Sequence, residues 1–229
     1  MVAVTLNGKE GFIDQTGNQV IPCTYDGAGR FSEGLAGVRL NGKKGFIDKT
    51  GELVISCIYD NADDFKGGLA TVRLNGKYGW IDKTGKQLTP CMYDYTDRFS
   101  EGLATVKLNE KWGYIDQTGK QIIPCIYDEV NIFSEGLARV VLNGKWGYID
   151  QTGEQVISCI YDDRIEHFSE GLAIVRLNGK YGYIDQTGKQ VIPCIYDWAW
   201  NFSEGLAKVE LKNRQRGYID KQGTQYWED

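Results

Sequence analysis

Histidine is almost missing from this chain of 229 residues: His167 stands alone. Neither a His-based triad nor a His metal cluster can be assembled around it. A Gly-rich phosphate loop of the GxxxxGK[ST] kind is absent as well. Positive charge is in deficit, with Lys+Arg 26 against Asp+Glu 31 and a net charge of -5. That argues against nucleic acid, whose binders carry a basic footprint. No apolar run approaches the roughly 18–20 residues that span a bilayer. The opening MVAVTLNGKEGF has no basic stretch leading into an apolar core, so it does not read as a signal peptide. The expectation is a chain with no cofactor, no metal and no membrane span.

Cysteine is present but in a form that excludes a disulfide framework. Cys23, Cys57, Cys91, Cys125, Cys159 and Cys194 fall at one register position, once per unit. Equivalent residues of successive three-stranded units lie several strands apart, at about 4.7–4.9 Å per strand. A disulfide needs Cα atoms within roughly 7 Å. Six free thiols, buried as small apolar groups, are expected. They suit a reducing compartment, and a cytoplasmic location is the expectation.

What the chain has is a period. Ile-Asp recurs at Ile13-Asp14, Ile47-Asp48, Ile81-Asp82, Ile115-Asp116, Ile149-Asp150, Ile184-Asp185 and Ile219-Asp220, spaced 34 residues four times and then 35 twice. A fixed period of this length decides the fold class before any other feature. Leu103 to Leu108 alternates, which is a strand signal. Asn-Gly follows the equivalent run at Asn7-Gly8, Asn41-Gly42, Asn75-Gly76, Asn143-Gly144 and Asn178-Gly179. That dipeptide marks a tight hairpin, since both residues tolerate positive φ. Asn109-Glu110 is a poorer fit. A two-residue turn puts Val106 opposite Gly113 and Lys107 opposite Trp112. One face of the hairpin then carries Ala, Val, Leu, Gly and Ile, and the other the aromatic and basic residues. The glycine lets Val106 or a neighbouring layer approach closely. Asp116-Gln117-Thr118-Gly119 reads as the next turn, and Gln121–Cys125 as a third strand. Pro22, Pro90, Pro124 and Pro193 mark where that strand ends, bends or turns its N–H side outward.

The whole of 1–229 is therefore expected to be one repeat domain, with units 1–34, 35–68, 69–102, 103–136, 137–171, 172–205 and a degraded cap at 206–229. Each unit is a three-stranded antiparallel meander, and the fold class is all-β. An open solenoid or superhelix is favoured over a closed seven-bladed propeller. The unit is short for a blade, no terminal strand is set aside to close a ring, and the last unit reads as a cap.

Trp112-Gly113 and Trp146-Gly147, followed by Tyr-Ile-Asp-x-Thr-Gly, Ile-Pro-Cys-x-Tyr-Asp and Phe-Ser-Glu-Gly-Leu-Ala, resemble the bacterial WG repeat, also called the KWG repeat. The resemblance covers nearly the whole chain and departs at the tryptophan, which is Glu10, Lys44, Tyr78 and Tyr181 in other units. It implies an all-β repeat and no common enzymatic activity or ligand.

Two sets of residues stand out for binding. Arg73 opposite Tyr78, Lys107 opposite Trp112 and Arg176 opposite Tyr181 form an aromatic–basic face. Each pair is a candidate cation–π contact of about 0.5–1 kcal/mol when exposed. The competing reading packs these aromatics as a second core. The other set lies in the stretches before each Phe (GAGR, NADD, YTDR, EVNI, DRIEH, WAWN), which vary while the framework repeats. In arrays such positions often line the binding face. Arg30, Tyr95, Arg98, Arg164, Trp198 and Trp200 are the types enriched at interface hot spots. The aspartates read as turn caps rather than calcium ligands, and His167 as a solvated loop residue. The expectation is a non-enzymatic scaffold binding protein or peptide; a carbohydrate or cell-wall module using the aromatic stripe is the alternative.

Overall fold

The structure is a computed structural model, and it describes residues 1–163, 165, 168–212 and 214–227. Arg164 and His167 lie outside the described residues. Among the described residues every regular element is a strand, and the sheets are antiparallel and built from strands consecutive in the chain. The first holds Val2–Leu6, Lys9–Ile13 and Gln19–Tyr25. The second holds Gly27–Ser32, Leu35–Leu40, Lys43–Ile47 and Leu53–Tyr59. In the third are Asn61–Ala62, Leu69–Leu74, Lys77–Asp82 and Gln87–Tyr93. The fourth holds Tyr95–Thr96, Leu103–Leu108, Lys111–Asp116 and Gln121–Tyr127. The fifth holds Glu129–Val130, Leu137–Leu142, Lys145–Asp150 and Gln155–Tyr161. Leu172–Leu177, Lys180–Asp185 and Gln190–Tyr196 make the sixth. The seventh holds Trp198–Ala199, Leu206–Glu210, Arg216–Asp220 and Gln225–Trp227.

The three expected strands per unit are present, and most sheets gain a fourth. It comes from the variable stretch after Tyr-Asp, which pairs with the leading strand of the next unit: Asn61↔Arg73, Glu129↔Val141, Trp198↔Glu210. Alternation could not reveal a strand two residues long. The hairpin register is as expected, with Arg73↔Tyr78 and Val72↔Gly79 in the third sheet. Asn7 and Gly8 sit at φ 51 and 75, the paired positive values of the tight turn. Glu110 is forced to φ 65 in the unit that lacks the glycine.

One assignment is corrected. The glycine of the hairpin admits neither the facing valine nor another layer but the third strand of its own sheet. That strand bulges, shifting register between Tyr78↔Tyr93 and Trp80↔Thr89. A Cβ on Gly79 would stand 2.9 Å from the Thr89 and Pro90 oxygens and the Cys91 nitrogen. The proline follows from the same geometry, because on a sheet edge its missing N–H forfeits no ladder bond.

Contacts divide the chain into two compact units: Met1–Arg98 with Val106–Glu110 and Ile115–Gln121, and Phe99–Thr105 with Lys111–Tyr114 and Ile122–Asp229. Both use the same packing rule. The aromatic face of one sheet covers the aliphatic face of the next. In the first unit Phe46, Ile55 and Tyr59 meet Ala70, Val72 and Ile81, with Phe65 inserted from the connecting corner. In the second, Tyr114, Ile123 and Tyr127 meet Ala138, Val140 and Ile149 around Phe133. Tyr183, Ile192 and Tyr196 meet Ala207, Val209 and Ile219 around Phe202.

The cysteines form no disulfide, as expected, but are half-buried rather than buried, because they lie on the bulged third strand. Partial burial raises the pKa of Cys57, Cys91, Cys159 and Cys194, which keeps those thiols protonated and unreactive.

Candidate functional site

The polar side chains of the repeat are mostly committed to seams and turns. Asp48 accepts from the Thr50 N–H at 2.8 Å, the Thr50 hydroxyl at 2.7 Å and the Glu52 N–H at 3.0 Å. The same bonds recur at Asp14, Asp82, Asp116, Asp150 and Asp185. These aspartates cap turns. Among the described residues no group of acidic, Cys or His side chains is placed to hold a metal. The second aspartate ladder ties one unit to the next. Asp60 pairs with Lys43 at 2.5 Å and accepts from the Gly76 N–H at 3.2 Å. Asp162 pairs with Lys145 at 2.6 Å and accepts from the Gly179 N–H at 2.8 Å. The tryptophan position also serves the seam where tryptophan is missing: Glu10 accepts from the Ala28 N–H, and Lys44 donates to the Ala62 carbonyl.

The aromatic pair of each second strand divides its roles. The residue after the glycine is core: Phe12, Phe46, Trp80, Tyr114 and Tyr183 are buried. The residue before it, at Tyr78, Trp112, Trp146 and Tyr181, is half-buried. Tyr78 and Tyr181 each lie between an arginine and an outer aromatic, tilted at 59° in the first case and stacked in the second. In the first unit the Arg73 guanidinium lies 5.4 Å from the Tyr78 ring centre, and the Tyr95 ring packs on Tyr78 at 6.3 Å. In the second, the Arg176 guanidinium lies 5.5 Å from Tyr181, and Trp198 stacks on Tyr181 at 5.8 Å with 20° between planes. Asp163 pairs with Arg176 at 2.8 Å. The outer members stay open to solvent, Tyr95 at 44% and Trp198 at 57% exposure.

The two sets picked from the sequence thus meet at Arg73–Tyr78–Tyr95 and at Arg176–Tyr181–Trp198. Lys107 faces Tyr95 across the edge strand and pairs with Glu110 at 2.8 Å. Trp112 packs against the buried cluster around Tyr114. Trp200 is exposed, and its carbonyl accepts from the buried Tyr183 hydroxyl at 2.7 Å. Arg30 is exposed on Gly27–Ser32, and exposed Arg98 donates its N–H to Asp97.

Sequence reasoning missed an aliphatic row. Ile58 and Met92 in the first unit, and Ile126, Ile160 and Ile195 in the second, are all 40% exposed or more. The signal was available: in Cys-x-Tyr the tyrosine is buried, so x must point out.

Six tandem matches to the WG containing repeat tile residues 11–43, 45–78, 78–112, 112–146, 146–181 and 181–214. The chain belongs to the WG-containing-repeat family. Each WG match spans from one second strand to the next, and the matches 78–112 and 181–214 take in the Tyr78–Tyr95 and Tyr181–Trp198 contacts. No curated protein matches the chain. Among solved structures, the WG chain is similar to the computationally designed Ika8 protein, at 13% identity and TM-score 0.35, covering 95% of this chain and 79% of that one. BamB from Moraxella catarrhalis is similar at 11% identity and TM-score 0.37, over 98% and 86%. A eukaryotic initiation factor is similar at 9% identity and TM-score 0.44, over 99% and 72%. Likeness at this level carries no functional argument. No helix among the described residues is long and apolar enough to cross a membrane.

Proposed function

We propose that this WG-repeat chain is a non-enzymatic scaffold that binds a protein or peptide through Tyr95 and Trp198 on the edge strands and Arg98 and Trp200 just beyond them. The observation that supports it is the pair of exposed outer aromatics, Trp198 stacked on Tyr181 and Tyr95 tilted against Tyr78. Tyr95 and Trp198 keep large exposed faces while their inner sides rest on a tyrosine held by an arginine. A rigid aromatic loses little entropy on binding, and such residues dominate interface energetics. The short edge strands also offer a partner backbone a place to pair. Alanine at all four positions is expected to abolish partner capture in pull-downs with the full chain, leaving thermal unfolding nearly unchanged. An unchanged set of partners would sink the assignment.

The near-parallel Tyr181–Trp198 stack favours a second reading, a carbohydrate-binding platform on which a sugar ring lies flat. Cell-wall polymer would then quench tryptophan fluorescence in the parent chain and not in Trp198→Ala. Absence of quenching, with an empty glycan array, removes this reading.

A further inference from the structure

One seam departs from the repeat by burying a charged side chain among the described residues. At the interior position of the leading strand the units carry Gly37, Thr71, Thr105, Arg139, Ile174 and Lys208. Arg39, Arg73, Lys107 and Arg176 place the basic residue two positions later, on the outer row; Val141 takes that place in the fifth sheet. The positive charge has moved inward. Arg139 is buried, at 9% exposure, and lies opposite Tyr148 in the ladder.

The move has a structural consequence. Tyr114 donates its hydroxyl to the Asn131 carbonyl at 2.6 Å, and Tyr183 to the Trp200 carbonyl at 2.7 Å. The corresponding carbonyl here belongs to Ile165, and Nη1 of Arg139 donates to it at 3.3 Å. Tyr148 is half-buried rather than buried. Its ring stands 6.4 Å from Phe168, against 4.8 Å for Tyr114–Phe133 and 5.0 Å for Tyr183–Phe202. The widened seam holds a cleft of about 690 Å³. Ile132, Tyr148, Val156 and Phe168 supply its apolar walls, and Arg139 and Glu135 its charges.

A guanidinium has five N–H donors, and a buried charge without a counter-charge is costly. Among the described residues no carboxylate forms an ion pair with Arg139, whose one hydrogen bond goes to a backbone oxygen. A carboxylate accepts a guanidinium bidentately and neutralises it. Clefts of this size that set a few placed polar groups among apolar walls are typical of small-ligand sites. We propose that this cleft binds a carboxylate on an apolar or aromatic stem, with Arg139 taking the carboxylate and Tyr148 and Phe168 flanking the stem. Such a group is offered by a free small acid or by the C-terminal residue of a peptide. The site shares no residue with the edge-strand surface and stands independently of it.

Calorimetric titration of the full chain tests the proposal with 3-phenylpropionate, 3-phenylpropionamide and Gly-Gly-Phe with a free or amidated C-terminus. The free acid is expected to bind at least about tenfold tighter than its amide. Arg139→Thr installs the residue that Thr71 and Thr105 already accommodate, so the variant is expected to fold, which a melting curve checks. It should abolish the preference for acid over amide. Arg139→Lys keeps the charge but loses the fork, and should retain only part of the preference. If the free-acid tripeptide binds as 3-phenylpropionate does, peptide C-termini are admitted; if only the small acid binds, the site is for free acids. Equal binding of acid and amide, no saturable binding of any probe into the millimolar range, or an acid preference that survives Arg139→Thr would each overturn the proposal. Trp198→Ala should leave the 3-phenylpropionate affinity unchanged, which separates this site from the edge-strand surface.

Discussion

A methyl group on Gly113 would sit 2.5 Å from the Ile123 oxygen, 2.7 Å from the Pro124 carbonyl carbon and 2.8 Å from the Cys125 nitrogen. These are backbone atoms of a bulge, and they cannot turn aside as a side chain can. Gly113→Ala is therefore expected to destabilise the chain by about 3 kcal/mol, the upper end for overpacking. Gly144 is the control: it has φ +72 and open space around its Cβ position. Gly144→Ala bears only the left-handed backbone penalty of about 1 kcal/mol. Urea denaturation of both variants decides the matter, and equal losses would refute the crowding argument. The sequence made a close approach at the glycine legible but named the wrong neighbour, because a bulge in the adjacent third strand leaves no mark on the alternation of the hairpin. Replacement of the tryptophan next to it is explained by the seam. Glu10 and Lys44 fill the place with opposite charges, each finding a backbone group of the matching polarity.

Strands and turns were the most legible elements, since each rests on a local rule: period-2 alternation, Asn-Gly, Asp-x-Thr-Gly. The edge strand was not legible. Asn61–Ala62 and Trp198–Ala199 pair only because the next unit supplies Arg73 and Glu210 as partners. Their sequences vary because edge residues have a free side, which also exposes Trp198. Of the candidate residues, the stacking partners could be named but not joined, since Tyr181 and Trp198 belong to adjacent sheets. The Asp turns, by contrast, give an element-scale prediction. The Thr50 hydroxyl, chiefly, with the Glu52 and Thr50 N–H groups, holds Asp48 below its ordinary value of 3.8. Thr84 and Thr118 act likewise on Asp82 and Asp116. A carboxylate depressed in the folded state adds stability that is complete above the unfolded pKa and is lost as pH falls through the folded one. The urea midpoint should then hold steady from pH 7 to about pH 5 and drop as pH falls below about 4. Asn at positions 48, 82 and 116 can accept the same bonds without titrating. That triple variant should be less stable at pH 7 and lose less between pH 5 and pH 3. An equal drop in parent and variant would show that the turn caps do not govern acid sensitivity.

At the scale of the whole chain, the period made the all-β repeat class readable, because a unit that cannot bury both faces alone must stack. What the period hides is where units differ, and the interior arginine at Arg139 shows the cost of reading a repeat as uniform. The differences also set local stability. In a stacked array each sheet is stabilised by its neighbours, so opening free energy varies along the chain. The first sheet has three strands and no edge strand, and its leading strand leaves Val2 64% and Leu6 59% exposed. The equivalent strand of the third sheet buries Ala70 and Val72 to 1% exposure. Leu69–Leu74 also pairs on both sides, with Asn61–Ala62 and with Lys77–Asp82. Val2–Leu6 pairs on one side only. Native-state hydrogen exchange should therefore find the amides of Val2–Leu6 opening with much lower free energy than those of Leu69–Leu74. A core truncation tells whether the sheets are energetically separable. Phe12→Ala, expected to lose about 3–5 kcal/mol locally, should collapse protection in the first two sheets, whose cluster it joins, and leave Leu172–Leu177 protected. Loss of protection everywhere at once would mean that the chain unfolds as one cooperative body, and the nearest-neighbour account of its stability would fail.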